Sequence, residues 1–140
     1  MPATVHPRER DVFDGLLEEE IEALPAPWTA WLEEVAVIVE DRVPPAIAED
    51  MGLTADEAEG LLGLHTGVPL TERSVEDPAS LPPEVRLFRA GLLAHAGWSR
   101  RRDSPATRAR LAEQIRVTLL HELGHHAGLD EDDLDEAGYG

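Results

Sequence analysis

The stretch from Asp103 to Gly128 dictates one long helix. Asp103-Ser104-Pro105 is a helix start, a capping side chain followed by a proline whose fixed φ suits the first turn. Ile115, Val117, Leu119 and Leu120 make the following segment apolar enough to be largely buried, and Gly128 supplies the left-handed residue that ends a helix. The end of this helix reads His121-Glu-Leu-Gly-His-His126. Histidines four apart share one helical face, because 3.6 residues make a turn. Their imidazoles can converge on one divalent metal, and Glu122 then sits beside the metal as a general base rather than on it. That is the arrangement of a zinc-dependent hydrolase. Burying several histidines and a glutamate without partners is costly, and a bound metal satisfies them.

The chain has 140 residues, a length that suits one domain with a single core. There is no cysteine, which excludes disulfides and thiolate zinc ligands. Met1 to Glu20 is charged and lacks the apolar stretch of a signal peptide, and the longest strongly apolar run, Val35–Val39, is far too short to span a bilayer. A soluble cytoplasmic protein with no membrane partner is expected. The net charge of −17 disfavours nucleic-acid binding, which needs a cationic surface to displace counterions. Arg100, Arg101 and Arg102, with Arg108, Arg110 and Arg116 beyond them, form a local exception. Without interleaved aromatics they read as a solvated turn and helix face. Every basic residue is arginine, which with the alanine, glycine and proline content hints at a GC-rich bacterial genome.

Upstream, Phe13, Leu17, Ile21 and Leu24 recur at helical spacing and predict a helix from about Arg10 to Leu24, stopped by Pro25. Pro27 opens a short second helix with Trp28, Trp31, Leu32 and Val35 on its buried side. Val35–Val39 reads as a strand covered on both faces, ended by Glu40, Asp41 and Pro44-Pro45. Thr54 with Glu57 forms a capping box for a short helix. Leu62–Gly67 is an edge strand or an extended loop, Thr71 to Ser80 a long loop, and Glu84–Arg89 a strand.

Gly63-Leu-His-Thr-Gly-Val-Pro-Leu-Thr-Glu-Arg73, Leu81-Pro-Pro-Glu-Val-Arg-Leu-Phe-Arg89 and Thr118-Leu-Leu-His-Glu-Leu-Gly-His-His-Ala-Gly-Leu-Asp130 together resemble the small bacterial zincin-like metallopeptidases, minimal zincins of the Asp-zincin pattern HExxHxxGxxD. The resemblance covers most of the chain. It implies an α+β fold: a single compact zincin-like domain over residues 1–140, with a small sheet packed on the motif helix. It also implies one zinc ion and a peptidase-like cleft. In zincins an edge strand along the cleft pairs with extended substrate backbone, and either of the two short segments above can play that part. Gly128 matches the pattern's glycine, but Glu131 stands where the pattern has its third ligand, Asp. Register makes Glu131 the first choice to join His121 and His125 on the metal, with Asp130 and Asp132 as alternatives; the acidic run also suits the cap of a final helix. Catalysis wants three protein ligands and one water, so a carboxylate is needed here. Tyr139, the sole tyrosine, is placed to assist an oxyanion, and the methionine turn of larger metzincins is absent. His126 points away from the ligand pair and reads as a hydrogen-bonded core residue, whereas His65 and His95 read as structural or surface histidines.

Three functions follow. The first is hydrolysis of a peptide or protein substrate by metal-activated water with Glu122 as base. The second is a catalytically silent, metal-stabilised interaction module, with a homodimer as one form of it; small domains have little wall from which to build subsite pockets. The third is restricted cleavage of a regulator or partner.

Overall fold

The computed structural model describes residues 4–66 and 83–137. Seven helices and three strands occur among them: α1 (Pro7–Glu22), α2 (Trp28–Glu33), β1 (Ala36–Glu40), α3 (Pro45–Met51), α4 (Ala55–Glu59), β2 (Gly63–Thr66), β3 (Glu84–Phe88), α5 (Arg89–Ala96), α6 (Pro105–His126) and α7 (Glu131–Ala137). The fold is α+β, a small sheet packed against helices. None of the described helices is long and apolar enough to cross a membrane.

The expected long helix forms as read. Ser104 caps α6 through the Thr107 backbone N–H, Thr107 reaches back to the Ser104 N–H, and Pro105 takes the first helical position. Gly128 follows with φ 91°. Leu111, Ile115, Leu119 and Leu123 recur every fourth residue on one face of α6, and all four are completely buried. Phe13 and Leu17 of α1, Val85 and Leu87 of β3, and Leu92 of α5 complete the same core. Each such side chain contributes about 1.5–3 kcal/mol by leaving water.

The sheet order is β1-β3-β2, with β1 parallel and β2 antiparallel to β3. Val37 faces Val85 and Val39 faces Leu87, while Gly63 and His65 of β2 face Leu87 and Val85. Strand alternation therefore lines one face of the sheet with Val37, Val39, Val85, Leu87, Gly63 and His65, the face that meets α6.

Four expectations need correction. The strand expected to be covered on both faces is β1, shifted by one residue to Ala36–Glu40, and none of its residues is fully buried. Among the described strands it lies at the sheet edge, paired with β3. Pro44-Pro45, read as a strand stop, opens α3, because Pro45 sits at a position where the missing N–H has no helical acceptor anyway. Arg89, read as the end of a strand, begins α5. α1 starts at Pro7 rather than near Arg10, with the His6 ring accepting from the Arg8 N–H and Glu9 accepting from the His6 N–H. Of the two candidate edge strands, β2 lies at the edge and β3 at the centre. The expected loop from Thr71 to Ser80 lies outside the described residues.

Ion pairs stitch the layers together. Arg89 bridges Asp14 of α1 and Asp41 beyond β1, and Arg10 also pairs with Asp41. Asp103 receives Arg108 at 2.7 and 3.0 Å and the Trp98 indole N–H at 3.1 Å. The hydrogen bonds from Arg108, then that from Trp98, lower its carboxyl from 3.8 to about 2. A carboxylate with a depressed folded pKa stabilises fully above its unfolded pKa, and the contribution disappears as the pH falls through the folded value. We expect Asp103→Asn to lower the urea midpoint at pH 6, and the gap to the parent protein to close between about pH 4 and 2, as followed by urea titrations across that range.

Candidate metal centre

His121 and His125 lie on a flank of α6, about 100–140° around its axis from the centre of the core stripe. Both imidazoles are about three-quarters buried, and their rings meet edge to face at 4.7 Å. Their Nε2 atoms are 3.0 Å apart. After Gly128 the chain turns back, and Asp130 caps α7 by accepting from the Asp133 N–H at 2.8 Å while Asp133 accepts from the Asp130 N–H. This cap fixes the helix so that Glu131, in its first turn, faces α6. Glu131 Oε1 lies 2.9 Å from His125 Nε2 and 3.4 Å from His121 Nε2.

Three donor atoms within 4.8 Å of one another form a group that can hold a metal ion. The spacing fits the ion that this donor set suits. Ligands on bonds of about 2.0–2.2 Å at tetrahedral angles sit about 3.3 Å apart, and the three separations here are 2.9, 3.0 and 3.4 Å. Two imidazole nitrogens and a carboxylate oxygen are borderline-hard donors of the kind zinc accepts. The imidazoles form a sheltered floor, and the Glu131 side chain, 65% exposed, forms the rim.

The seating of α7 explains a residue inside the motif. Gly124 lies on α6 where a Cβ would come within 2.4 Å of Leu134 Cδ2 and 3.5 Å of Leu129 Cδ1. Leu134 is completely buried. The glycine is thus the notch into which α7 latches, and Leu134 is three residues from Glu131 on the same helical face.

Glu122 is held from the other side, by the edge strand. The Phe88 N–H donates to Leu62 O at 3.0 Å, so Leu62 and Phe88 are a hydrogen-bonded pair. Antiparallel alternation then turns the amides of Gly63 and His65 away from β3, toward the side of β2 that pairs with no strand among the described residues. The His65 backbone N–H there hydrogen-bonds the Glu122 carboxylate. A Cβ on Gly63 would meet Thr118 Cγ2 at 2.8 Å and Glu122 Cγ at 3.4 Å, so only glycine lets β2 lie this close to α6. Burial, the largest influence, raises the Glu122 carboxyl above its ordinary value; the two histidines oppose this, and Glu131 and the His65 N–H act in opposite senses.

His126, completely buried, turns to the far side of α6, where its Nε2 meets Glu34 Oε2 at 2.9 Å and its ring lies 5.7 Å from that of His65. Beside the site a cleft of about 660 Å³ opens along α6, with His121 and Glu122 in its wall and His95, an exposed residue of α5, also lining it. His95, read from the sequence as a structural or surface histidine, is exposed at the rim of this cleft. Tyr139 lies outside the described residues.

The model of the zincin-like metallopeptidase family matches residues 32–139, well over half of the chain and including every residue of this site. The chain belongs to that family. A comparison with curated proteins returns no match.

In this zincin-like chain Gly124 was readable in retrospect, since a glycine inside a helix costs about 1 kcal/mol relative to alanine and calls for a packing reason. We expect Gly124→Val to unseat α7. Hydrogen exchange should show the Glu131–Ala137 amides losing protection while the amides of Leu111–Leu120 keep theirs.

Proposed function

We propose that this chain is a zinc-dependent metallopeptidase that hydrolyses peptide bonds, with His121, His125 and Glu131 as the metal ligands and Glu122 as the general base. The observation that carries the reading is the convergence of two Nε2 atoms and one Oε1 atom beside a buried carboxyl. Family membership supports a metal, typically zinc.

A zinc ion held by His121, His125 and Glu131 would supply Lewis acidity for hydrolysis. The remaining work belongs to side chains and backbone of this protein. Glu122 accepts the proton of the attacking water and delivers it to the leaving nitrogen. Its raised pKa suits both halves of that task, because a carboxyl closer to neutrality gives the proton back more readily. The His65 N–H keeps the carboxylate aimed during the transfer. The outer side of β2 at Gly63, which pairs with no strand among the described residues, offers backbone groups for an extended peptide to pair with. The pattern HExxHxxGxxD is thereby kept with glutamate in the last position; Asp130 acts as the cap of α7, and Asp132 takes no part. Tyr139 is proposed as an accessory donor to the oxyanion.

The competing reading is a catalytically silent zincin that uses its metal for stability. The cleft beside Glu122 favours hydrolysis, since an interaction module has no need of a cavity at a buried base.

Glu122→Gln should abolish peptide hydrolysis and keep the metal content of the parent protein, measured by elemental analysis beside cleavage assays. His121→Ala and Glu131→Ala should lose metal, whereas Asp132→Ala should retain it. Hydrolysis surviving in Glu122→Gln would remove that residue from the role. Chelation should lower the melting temperature, and added zinc should restore it, because a ligand that binds only the folded state stabilises it by mass action.

A further inference from the structure

His126 occupies a position that an aliphatic side chain would fill at no polar cost. The residue is completely buried, and an imidazole taken out of water needs a hydrogen-bonding partner. That partner comes from far away in the chain. Glu34, the residue that closes α2, keeps its side chain 44% exposed yet reaches inward, so that Oε2 lies 2.9 Å from His126 Nε2. A carboxylate oxygen accepts, so Nε2 carries the proton and donates it to this bond. His126 Nδ1 is buried and has no hydrogen-bond partner among the described residues. One polar contact therefore sets both the tautomer and the orientation of the ring.

His65 meets α6 twice. Its backbone N–H hydrogen-bonds the Glu122 carboxylate, and its ring lies 5.7 Å from that of His126, the planes tilted by 54°. Glu122 and His126 are four residues apart, so the two contacts fall on successive turns of the helix. On β3 the residue facing His65 is Val85, which is completely buried. β2 itself is only Gly63–Thr66 and pairs with β3 alone among the described strands. A strand so short has few backbone ties of its own. What the His65 ring packs against therefore bears on where the amide of the same residue points.

We infer that Glu34 and His126 are positioning residues: Glu34 fixes the His126 ring, the ring seats the His65 side chain, and the seated residue holds its backbone N–H on the Glu122 carboxylate. The consequence for turnover rests on the reading of Glu122 as general base; the chain of contacts does not. The second histidine of the His125-His126 pair thereby has a task distinct from that of the first. The relay also has a surface end, because Glu34 lies exposed at the junction between α2 and β1.

The amide proton of His65 reports the contact directly. Isotope-labelled, zinc-loaded parent protein is compared by NMR with Glu34→Ala, Glu34→Gln, His126→Leu and Glu122→Ala. The last of these marks the position of the His65 signal once its acceptor is gone. Glu34→Ala and His126→Leu should move the signal most of the way to that position. They should also speed its exchange with solvent by at least about tenfold, the worth of a hydrogen bond to a charged group. Amides of residues 111–119 should stay where they are, which separates a local release from general loosening. Glu34→Gln keeps an oxygen that accepts from Nε2 and should return the signal toward its parent position. In peptide cleavage, Glu34→Ala and His126→Leu should lower kcat at least about tenfold and leave KM within about twofold, because a misaligned base is felt in the transition state and not in substrate binding. A merely structural role predicts the opposite for His126→Leu, which removes a buried polar group. If the signal moves as expected and the parent protein cleaves no peptide, the positioning contact stands and the hydrolase reading fails. If the parent protein cleaves and the signal stays put in both Glu34→Ala and His126→Leu, the inference fails and the hydrolase reading stands. A displacement that Glu34→Gln does not reverse, or full turnover in a variant whose signal has moved, would also overturn it. Glu34→Ala, at an exposed position, carries the test alone if His126→Leu does not fold.

Discussion

One helix carries two obligations on neighbouring faces, and the molecule depends on their being met together. Leu111, Ile115, Leu119 and Leu123 anchor α6 in the core with no exposed surface. Rotation of the helix by even a fraction of a turn would lift those side chains toward water, at about 25 cal/mol for each Å² exposed. That penalty fixes the azimuth of His121 and His125 without any contact at the rings themselves. The histidine pair needs no separate scaffold, because the hydrophobic core already acts as one.

The elements that meet this face do so by close backbone approach rather than by long side chains. Gly63 lets an edge strand lie against Thr118 and Glu122, and Gly124 lets a short helix seat its Leu134 on α6. Two positions with no side chain therefore decide where Glu122 and Glu131 can be. Polar ties work at the back: Glu34 reaches His126, so the segment leading into β1 is joined to the end of α6 next to the candidate ligands. The arrangement resembles the outer partners that orient metal ligands elsewhere, and such supports tune affinity by about 10–100-fold.

Much of this was legible in the chain because local chemistry determined it. The Ser104-Pro105 start, the Thr54–Glu57 capping box and the pair of histidines each depend on residues within a few positions of one another. Glu131 was reachable by register from His125, and the cap formed by Asp130 was readable as the alternative use of the acidic run. What escaped depends on tertiary context. Pro45 and Arg89 sit at junctions where a strand passes directly into or near a helix, so a residue that ends one element opens the next. The coverage of β1 follows from its place at the edge of the sheet, which no pattern within Val35–Val39 encodes. The cleft is formed by residues from Leu53 to Glu122 and exists only once α4, β2, α5 and α6 have come together.

Glu131 belongs to a different rigid piece from the two imidazoles. It rides on seven residues joined to the long helix by a short turn at Gly128 and secured by Leu134. A donor mounted in this way is modular. Replacing it by a shorter or longer side chain asks the small helix to slide by roughly one bond length, about 1.5 Å, while the hydrophobic interior stays untouched. The chemical character of the centre can thus drift without the architecture being rebuilt.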